Sequence, residues 1–426
     1  MKQDLKSRKG KKLTPDEVSL FFNSLDQTQK GYLSKVELRD ALRLKGILPD
    51  DPRFLTLFKT LEETHYPDGI RPKDLEGHLS GSDHFIRASN HKSLIIPDFT
   101  DFCDDLLDIY EKTKLIKHGQ VADYIPQLKR VDPRLYGLSV CTIDGQRFQT
   151  GDSKVPFCIQ SSCKPVNYCL ALDEHGEDYL HRFVGHEPSG QSFNELTLNH
   201  RGLPHNPMIN SGAIMCCSLI RQDLDVADRF DFVLNIWRKL TGGLPVGFNN
   251  SVYLSERQTA DRNFALGYFM REKGAFPKDT KLIKVLEFYF QCCSIEMSTD
   301  AMSVVAGALA GGGGCPLTGE SILSPDTVKN CLSLMESCGM YDFSGEFAYS
   351  IGLPAKSGVS GVIMIVIPNV MGICLWSPRL DALGNSVRGV EFSRQLVSRF
   401  NFHKYDSLVP GQCTKKDPRI SKHSGL

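Results

Sequence analysis

Gln160-Ser161-Ser162-Cys163-Lys164-Pro165 is the stretch from which the fold can be read. It sets a serine three residues ahead of a lysine, and residues three apart share one face of a helix. Pro165 marks the start of that helix, because proline is tolerated in the first turn, where backbone N–H groups have no partner. The pattern predicts Ser161 at a helix N-terminus. There the positive end of the macrodipole favours a developing alkoxide, and Lys164, if buried and neutral, is placed to take the hydroxyl proton. Ser162 is turned about 100° round the helix and cannot share the face of Lys164. A short S-x-x-K motif also arises by chance as a capped helix start with a solvated lysine, so it needs a partner elsewhere.

The chain around it has 426 residues, 41% hydrophobic and 23% charged, with 50 basic and 50 acidic residues. That is the balance of a soluble globular protein of two or three domains. Zero net charge leaves no electrostatic footprint for nucleic acid or an anionic membrane. The longest apolar run, Val362 to Pro368, falls far short of the roughly 20 residues of a membrane span. Fourteen cysteines include the adjacent pairs Cys216-Cys217 and Cys292-Cys293 but no C-x-x-C at zinc spacing, so free thiols are expected and no metal site. Residues 1–13 are basic and predicted disordered, with neither a signal peptide nor an amphipathic transit peptide in view.

Upstream of the motif, residues 14–115 read as a helical domain. Thr14-Pro15-Asp16-Glu17 is a capping box, and Val18, Phe21, Phe22 and Leu25 follow on one face. The loop Asp26 to Glu37 has the length, central glycine, apolar eighth position and closing glutamate of an EF-hand, yet Thr28 and Lys30 occupy ligand positions. An EF-hand-like fold without calcium is expected. A second loop around Tyr66 to Ile70 lacks ligand spacing and reads as structural, and an acidic helix from about Asp98 to Glu111 reads as a solvated face.

Past a boundary near residue 115, Leu135 to Ile143 and Gln146 to Gln149 are strand-like and joined by Asp144-Gly145, a hairpin signal. A helical block follows, including a helix that starts at Ser324-Pro325 and another that ends in Gly311 to Gly314. Strands return at Ile351 to Val359, Val362 to Ile367 and Met371 to Trp376, and a closing helix runs from about Asn385 to Arg399. Strands at both ends with helices between predict one antiparallel sheet built from the two termini of residues 116–408, an α+β arrangement. Residues 409–426 are polar and predicted disordered.

The first late strand carries Lys356-Ser357-Gly358-Val359. S-x-x-K at a helix start after an N-terminal hairpin, with K-S/T-G on a strand beside the last hairpin, is the motif pair of the serine β-lactamase and penicillin-binding fold. An edge strand with K-S-G can lie against the nucleophile helix, so that the N–H groups of Ser161 and Val359 form an oxyanion hole.

Nearly the whole chain resembles the animal glutaminases. The resemblance is carried by Val121-Ala-Asp-Tyr124-Ile-Pro, His205-Asn-Pro-Met-Ile-Asn210-Ser-Gly-Ala, Ser255-Glu256-Arg-Gln-Thr-Ala-Asp-Arg-Asn263, Cys338-Gly-Met-Tyr341-Asp-Phe-Ser-Gly and Leu353-Pro-Ala-Lys356-Ser-Gly-Val359. It implies hydrolysis of L-glutamine to L-glutamate and ammonia. By resemblance, Ser161 is the nucleophile, Lys164 its activator, Tyr289 and Tyr341 proton-relaying tyrosines, and Val359 an oxyanion donor. Tyr124, Asn210, Glu256 and Asn263 are implied substrate contacts. A free amino acid needs a fixed anion such as Glu256 for its ammonium and neutral donors for its carboxylate. Lys164, Tyr289 and Tyr341 all remain open as the group that deprotonates Ser161.

The family also implies mitochondrial residence, with the cytoplasm as the alternative, activation by inorganic phosphate with no other cofactor, and dimers or tetramers assembled through the loop 188–199 around Phe193. Glu195 stands where the family usually has lysine, which weakens the expectation of phosphate activation. Ser162, Ser211 and an extra glycine before Cys315 are further departures. The ankyrin repeats of longer members are absent, as in a short form. Two other readings compete: another serine acyl hydrolase of the same fold, against which the ammonium-binding Glu256 argues, and a non-catalytic EF-hand-like scaffold, against which intact Ser161, Lys164 and Lys356 argue.

Overall fold

Apolar, β-branched runs at opposite ends of residues 137–376 pair into one sheet in this computed structural model, which describes residues 12–191, 195–408 and 414–421. The strands are β1 (Gly137–Thr142), β2 (Arg147–Gly151), β3 (Phe157–Cys158), β4 (Gly247–Phe248), β5 (Ile295–Met297), β6 (Ala355–Gly358), β7 (Val362–Ile367) and β8 (Met371–Trp376). The large sheet has the order β2-β1-β8-β7-β6, with β1–β8, β8–β7 and β7–β6 antiparallel. Gly137 and Val362 both lie opposite Trp376, so the N-terminal hairpin is fastened to the last one, as the strand pattern predicts.

The central strands β1, β7 and β8 are buried along their whole length, which is why they read as continuous apolar runs rather than alternating ones. Helices cover both faces. Every residue of the helix Thr299–Ala310 is buried, and it packs so close that a Cβ on Gly372 would fall 2.1 Å from the Gly307 nitrogen. On β7, Ile363 meets Gly389 of the helix Val387–Arg399 in the same way. A small sheet, β3-β5-β4, was not legible in the sequence because each strand has only two or three residues. It matters for the site: just past β3, the Ile159 N–H donates to the Ile295 carbonyl at 2.9 Å and fixes the chain one residue before Gln160.

The chain divides into two compact units. One comprises residues up to Cys103 with Asp144–Phe148 and the segment from Pro418, and the other Asp104–Ile143 with Gln149–Asp417. The division falls inside the helix Phe99–Lys114, whereas the sequence placed a boundary near 115, at the end of that helix. In the first unit the helices Pro15–Leu25 and Lys35–Leu44 both begin with complete capping boxes, at Thr14 and Ser34. Phe21, Phe22, Leu38, Leu42, Phe54 and Leu61 are fully buried in its core. Leu33 and Ile70 exchange backbone hydrogen bonds of 2.9 and 2.7 Å that tie the two interhelical loops together.

Two expectations need correction. Residues 414–421 of the tail are described: the Lys416 N–H donates to the Arg399 carbonyl and its ammonium binds Asp105. Asp105 and Asp108 on the acidic helix both pair with Arg399, so these carboxylates answer specific cations and not only water. The calls on residues 1–11, 409–413, 422–426 and Phe193 lie outside the described residues. Among the described residues, no helix is long and apolar enough to cross a membrane.

Candidate active site

The turn that carries Ser161 is strained. Gln160–Cys163 forms a 3-10 turn that runs directly into the helix Lys164–His175, with Pro165 in its first turn. The sequence put Ser161 at the N-terminus of an α-helix. The structure places it one short turn earlier, because Gln160 takes a left-handed backbone with φ +49° and redirects the chain. Tyr341, at the head of another 3-10 turn, is also left-handed, with φ +54°. Non-glycine residues in this region store energy of about 1 to 3 kcal/mol each, and such strain concentrates at functional sites.

Ser161 and Lys164 meet as their spacing predicts. Lys164 Nζ lies 3.1 Å from Ser161 Oγ and 2.7 Å from Asn210 Oδ1. Ser161 is 8% exposed and Lys164 1%, and burial lowers the Lys164 ammonium to about 8. A neutral amine there has two N–H donors and one lone pair, enough to donate to Asn210 and accept from Ser161. Ser162 is fully buried, and its hydroxyl has no hydrogen-bond partner among the described residues. It faces Gly358, where an added Cβ would lie 3.3 Å from its Oγ.

Asn210 is the hub of the polar network. It opens the helix Asn210–Leu219, accepts from Tyr289 OH at 3.3 Å as well as from Lys164, and donates through Nδ2 to Asn263 Oδ1 at 3.1 Å. Tyr289 comes from the helix Leu282–Cys293 and Asn263 from Asp261–Glu272. Burial drives the Tyr289 phenol far above its ordinary range, so it is a hydrogen-bonding hydroxyl and not a phenolate. Tyr341 is likewise raised by burial, and the Ser161 hydroxyl draws it partly back.

Glu256 and Tyr124 form a second polar pair. Glu256, on the helix Asn250–Thr259, is 6% exposed and accepts from Tyr124 OH at 2.6 Å. Burial raises its carboxyl, while the Tyr124 hydroxyl and the Gln160 amide draw it down. Tyr124 shows about half its surface, 48%, to solvent but turns its hydroxyl inward. Gln160 went unnamed in the sequence reading. Its Oε1 accepts from Tyr124 OH at 3.5 Å, which links the residue before Ser161 to the Glu256 pair. No sequence signal marks a buried glutamine with an inverted φ, beyond its place next to the serine.

Lys356 turns inward from the edge of the sheet. It is fully buried on β6, donates to the carbonyls of Gly339 and Ser357 at 3.0 and 2.7 Å, and lies 4.5 Å from the centroid of the Tyr341 ring. Burial and the nearby Lys164 push its ammonium well down. It therefore clamps the segment before Tyr341 to the edge strand. That strand ends at Gly358, so Val359 falls in the following turn rather than on the strand, closed by a 2.9 Å bond from the Gly361 N–H to the Gly358 carbonyl. β6 still passes the serine turn closely: a Cβ on Gly358 would sit 2.9 Å from the Ile159 carbonyl oxygen. Among the described residues no group of three or more His, Cys, Asp or Glu is arranged to hold a metal ion. A cavity of about 400 Å³ borders Tyr341 and is lined further by Pro188, Gln191, Met208 and Cys338; Glu195, beyond it in the same loop, is exposed.

The family model described as Glutaminase matches residues 119–405. "Putative glutaminase 2" of Caenorhabditis elegans is 46% identical over 416 residues, covering 94% of this chain and 68% of that protein. The rat "Glutaminase liver isoform, mitochondrial" is 47% identical over 384 residues, 89% of this chain and 64% of that one. The chain thus spans about two thirds of the length of these relatives. A solved probable glutaminase superposes with a TM-score of 0.67 at 34% identity, covering 70% of this chain and 95% of that one.

Proposed function

Because the chain belongs to the glutaminase family and its reaction is the hydrolysis of L-glutamine to L-glutamate and ammonia, we propose that Ser161 is the nucleophile and Lys164 the base. The observation that carries this is the buried 3.1 Å contact between Lys164 Nζ and Ser161 Oγ. Neutral Lys164 takes the Ser161 proton as Oγ attacks the side-chain amide carbon. The Ser161 and Val359 N–H groups face the oxyanion. Collapse breaks the C–N bond, and the proton held on Lys164 passes to the leaving nitrogen, with Tyr289 and Tyr341 as relays. Water then hydrolyses the γ-glutamyl ester and leaves its proton on Lys164 before Ser161 recovers it. Glu256, with Tyr124 and Gln160, receives the substrate's α-ammonium; Asn210 and Asn263 receive its carboxylate. Hydroxylamine added to the reaction tests the acyl-enzyme: γ-glutamyl hydroxamate must form at the expense of glutamate, and its absence at saturating hydroxylamine counts against an ester on Ser161.

The catalytic unit is read as a serine β-lactamase-like domain, supported by the sheet order and by β6 lying beside the serine turn. The first unit is read as a pair of EF-hand-like motifs, supported by the Leu33–Ile70 bridge between its loops. In the first loop the Lys30 ammonium binds Glu37 Oε1 at 2.7 Å, joining the fifth and twelfth positions with a built-in cation. Mitochondrial residence is proposed from the printed names of the rodent relatives, and a homo-oligomer and phosphate response through the loop 188–199 from the family resemblance, with the exposed Glu195 predicting a weak response.

A further inference from the structure

Two thiols meet beside the catalytic serine, and nothing in the hydrolytic reaction uses them. Cys163 sits between Ser161 and Lys164 in the 3-10 turn, and Cys293 ends the helix that carries Tyr289 one turn earlier. Their Sγ atoms are 3.9 Å apart, one donating to the other. Cys163 is fully buried and Cys293 6% exposed, close to the value for Ser161 itself. The sulfurs thus join the two elements that hold the nucleophile and its tyrosine. Other neighbouring thiols, such as Cys169 with Cys331 and Cys217 with Cys292, are fully buried on helices, with neither partner in the serine turn.

We propose that Cys163 and Cys293 are a dithiol modification site through which hydrogen peroxide reversibly silences the enzyme. Cys293, the more accessible, attacks the peroxide as thiolate; the O–O bond breaks, giving a sulfenic acid and, after proton uptake, water. Cys163 then attacks that sulfur as thiolate and expels hydroxide, which takes up a proton to give the second water, leaving one disulfide. The hydrogen bond to Cys163 and burial hold the Cys293 thiol well above its ordinary range, and the Lys164 ammonium draws it back only in part, so the attacking thiolate is scarce and the oxidation slow.

The consequence follows from length. A disulfide needs about 2 Å between sulfurs, against 3.9 Å here, so the pair must close by about 2 Å, and whatever side-chain rotation does not supply is taken up by the serine turn and the Tyr289 helix. A displacement of about 1 Å in a reacting group costs on the order of 100-fold in rate. Dithiothreitol restores the thiols and the geometry.

The test uses the full reduced chain, treated with hydrogen peroxide, assayed for glutamine hydrolysis and mapped by non-reducing peptide mass spectrometry. Expected are a loss of about 100-fold, recovery with dithiothreitol, and a linked peptide pair holding Cys163 and Cys293. Cys163→Val and Cys293→Ala are expected to hydrolyse glutamine before treatment and to lack the recoverable loss. Inactivation without that linked pair, or a Cys163→Val protein silenced and restored like the wild type, overturns the proposal, as does a linked protein that keeps full activity. If Cys163→Val does not fold, Cys293→Ala and the wild-type map decide it. The silencing rests on the hydrolase reading, but the map does not: an untreated wild type without activity defeats that reading, while the linked pair is still found or missed.

Discussion

Lys164 Nζ stands 3.1 Å from Ser161 Oγ and 2.7 Å from Asn210 Oδ1, so one buried amine touches both the Ser161 hydroxyl and the hub of the polar network. Its protonation state sets the pH dependence. The folded pKa is lowered to about 8, and the neutral form is the proposed base. kcat/KM is expected to rise about tenfold per unit as pH approaches 8 from below and to level above it. Lys164→Arg, permanently charged, should lose both the activity and this limb. The sign for stability is the same: between about 8 and the ordinary lysine value the unfolded chain holds the extra proton, so this group's penalty on the fold fades as pH rises. A pH–rate profile without a limb near 8 counts against Lys164 as the base.

The 2.6 Å bond between Tyr124 and Glu256 predicts a binding defect and not a chemical one. Glu256→Gln removes the anion proposed for the substrate's ammonium and should cost about 2 to 4 kcal/mol in kcat/KM, chiefly through KM. Tyr124→Phe should cost about 1 kcal/mol with kcat nearly kept. Steady-state kinetics separates these outcomes, and a fall in kcat alone for Glu256→Gln would place the carboxylate in the chemistry instead.

Lys356 holds the Gly339 and Ser357 carbonyls while lying under Tyr341. Lys356→Ala leaves two buried acceptors without their donor and should destabilise the fold by about 2 to 4 kcal/mol, together with a loss of activity. Thermal unfolding beside the assay checks this. An unchanged melting temperature with lost activity would make Lys356 a chemical group.

Lys30 in the first interhelical loop spans to Glu37, whose carboxyl it holds down at about 2. The wild type is therefore expected to show no stabilisation by millimolar calcium. Lys30→Asp removes the internal cation and adds a ligand, and should gain a calcium-dependent rise in melting temperature with an affinity on the order of 10⁻⁴ to 10⁻³ M. Calorimetric calcium binding by the wild type at micromolar concentration would contradict this.

Much of the fold was legible because its strongest elements obey local rules. Ser324 caps the helix Pro325–Cys338 as the Ser-Pro pair predicts, and the strands Val362–Ile367 and Met371–Trp376 match their apolar runs residue for residue. The serine and lysine met because three-residue spacing survives in a 3-10 turn. What could not be read were features fixed by distant packing: the φ of Gln160, the tiny β3-β5-β4 sheet, and Lys356 turning inward from an edge strand. Asn210, Glu256, Asn263 and Tyr289 sit on four different helices, and no periodicity within one helix tells that they converge. Only resemblance to a family drew them together before the structure did.

Ammonia release from L-glutamine by the wild type, Ser161→Ala and Ser162→Ala bears most directly on the central claim. Ser162 is buried against Gly358, so its alanine variant should stay within a few-fold of the wild type, while Ser161→Ala should fall by at least about 10³-fold with an unchanged melting temperature. Ammonia release that survives in Ser161→Ala, or vanishes only in a folded Ser162→Ala, would contradict Ser161 as the nucleophile.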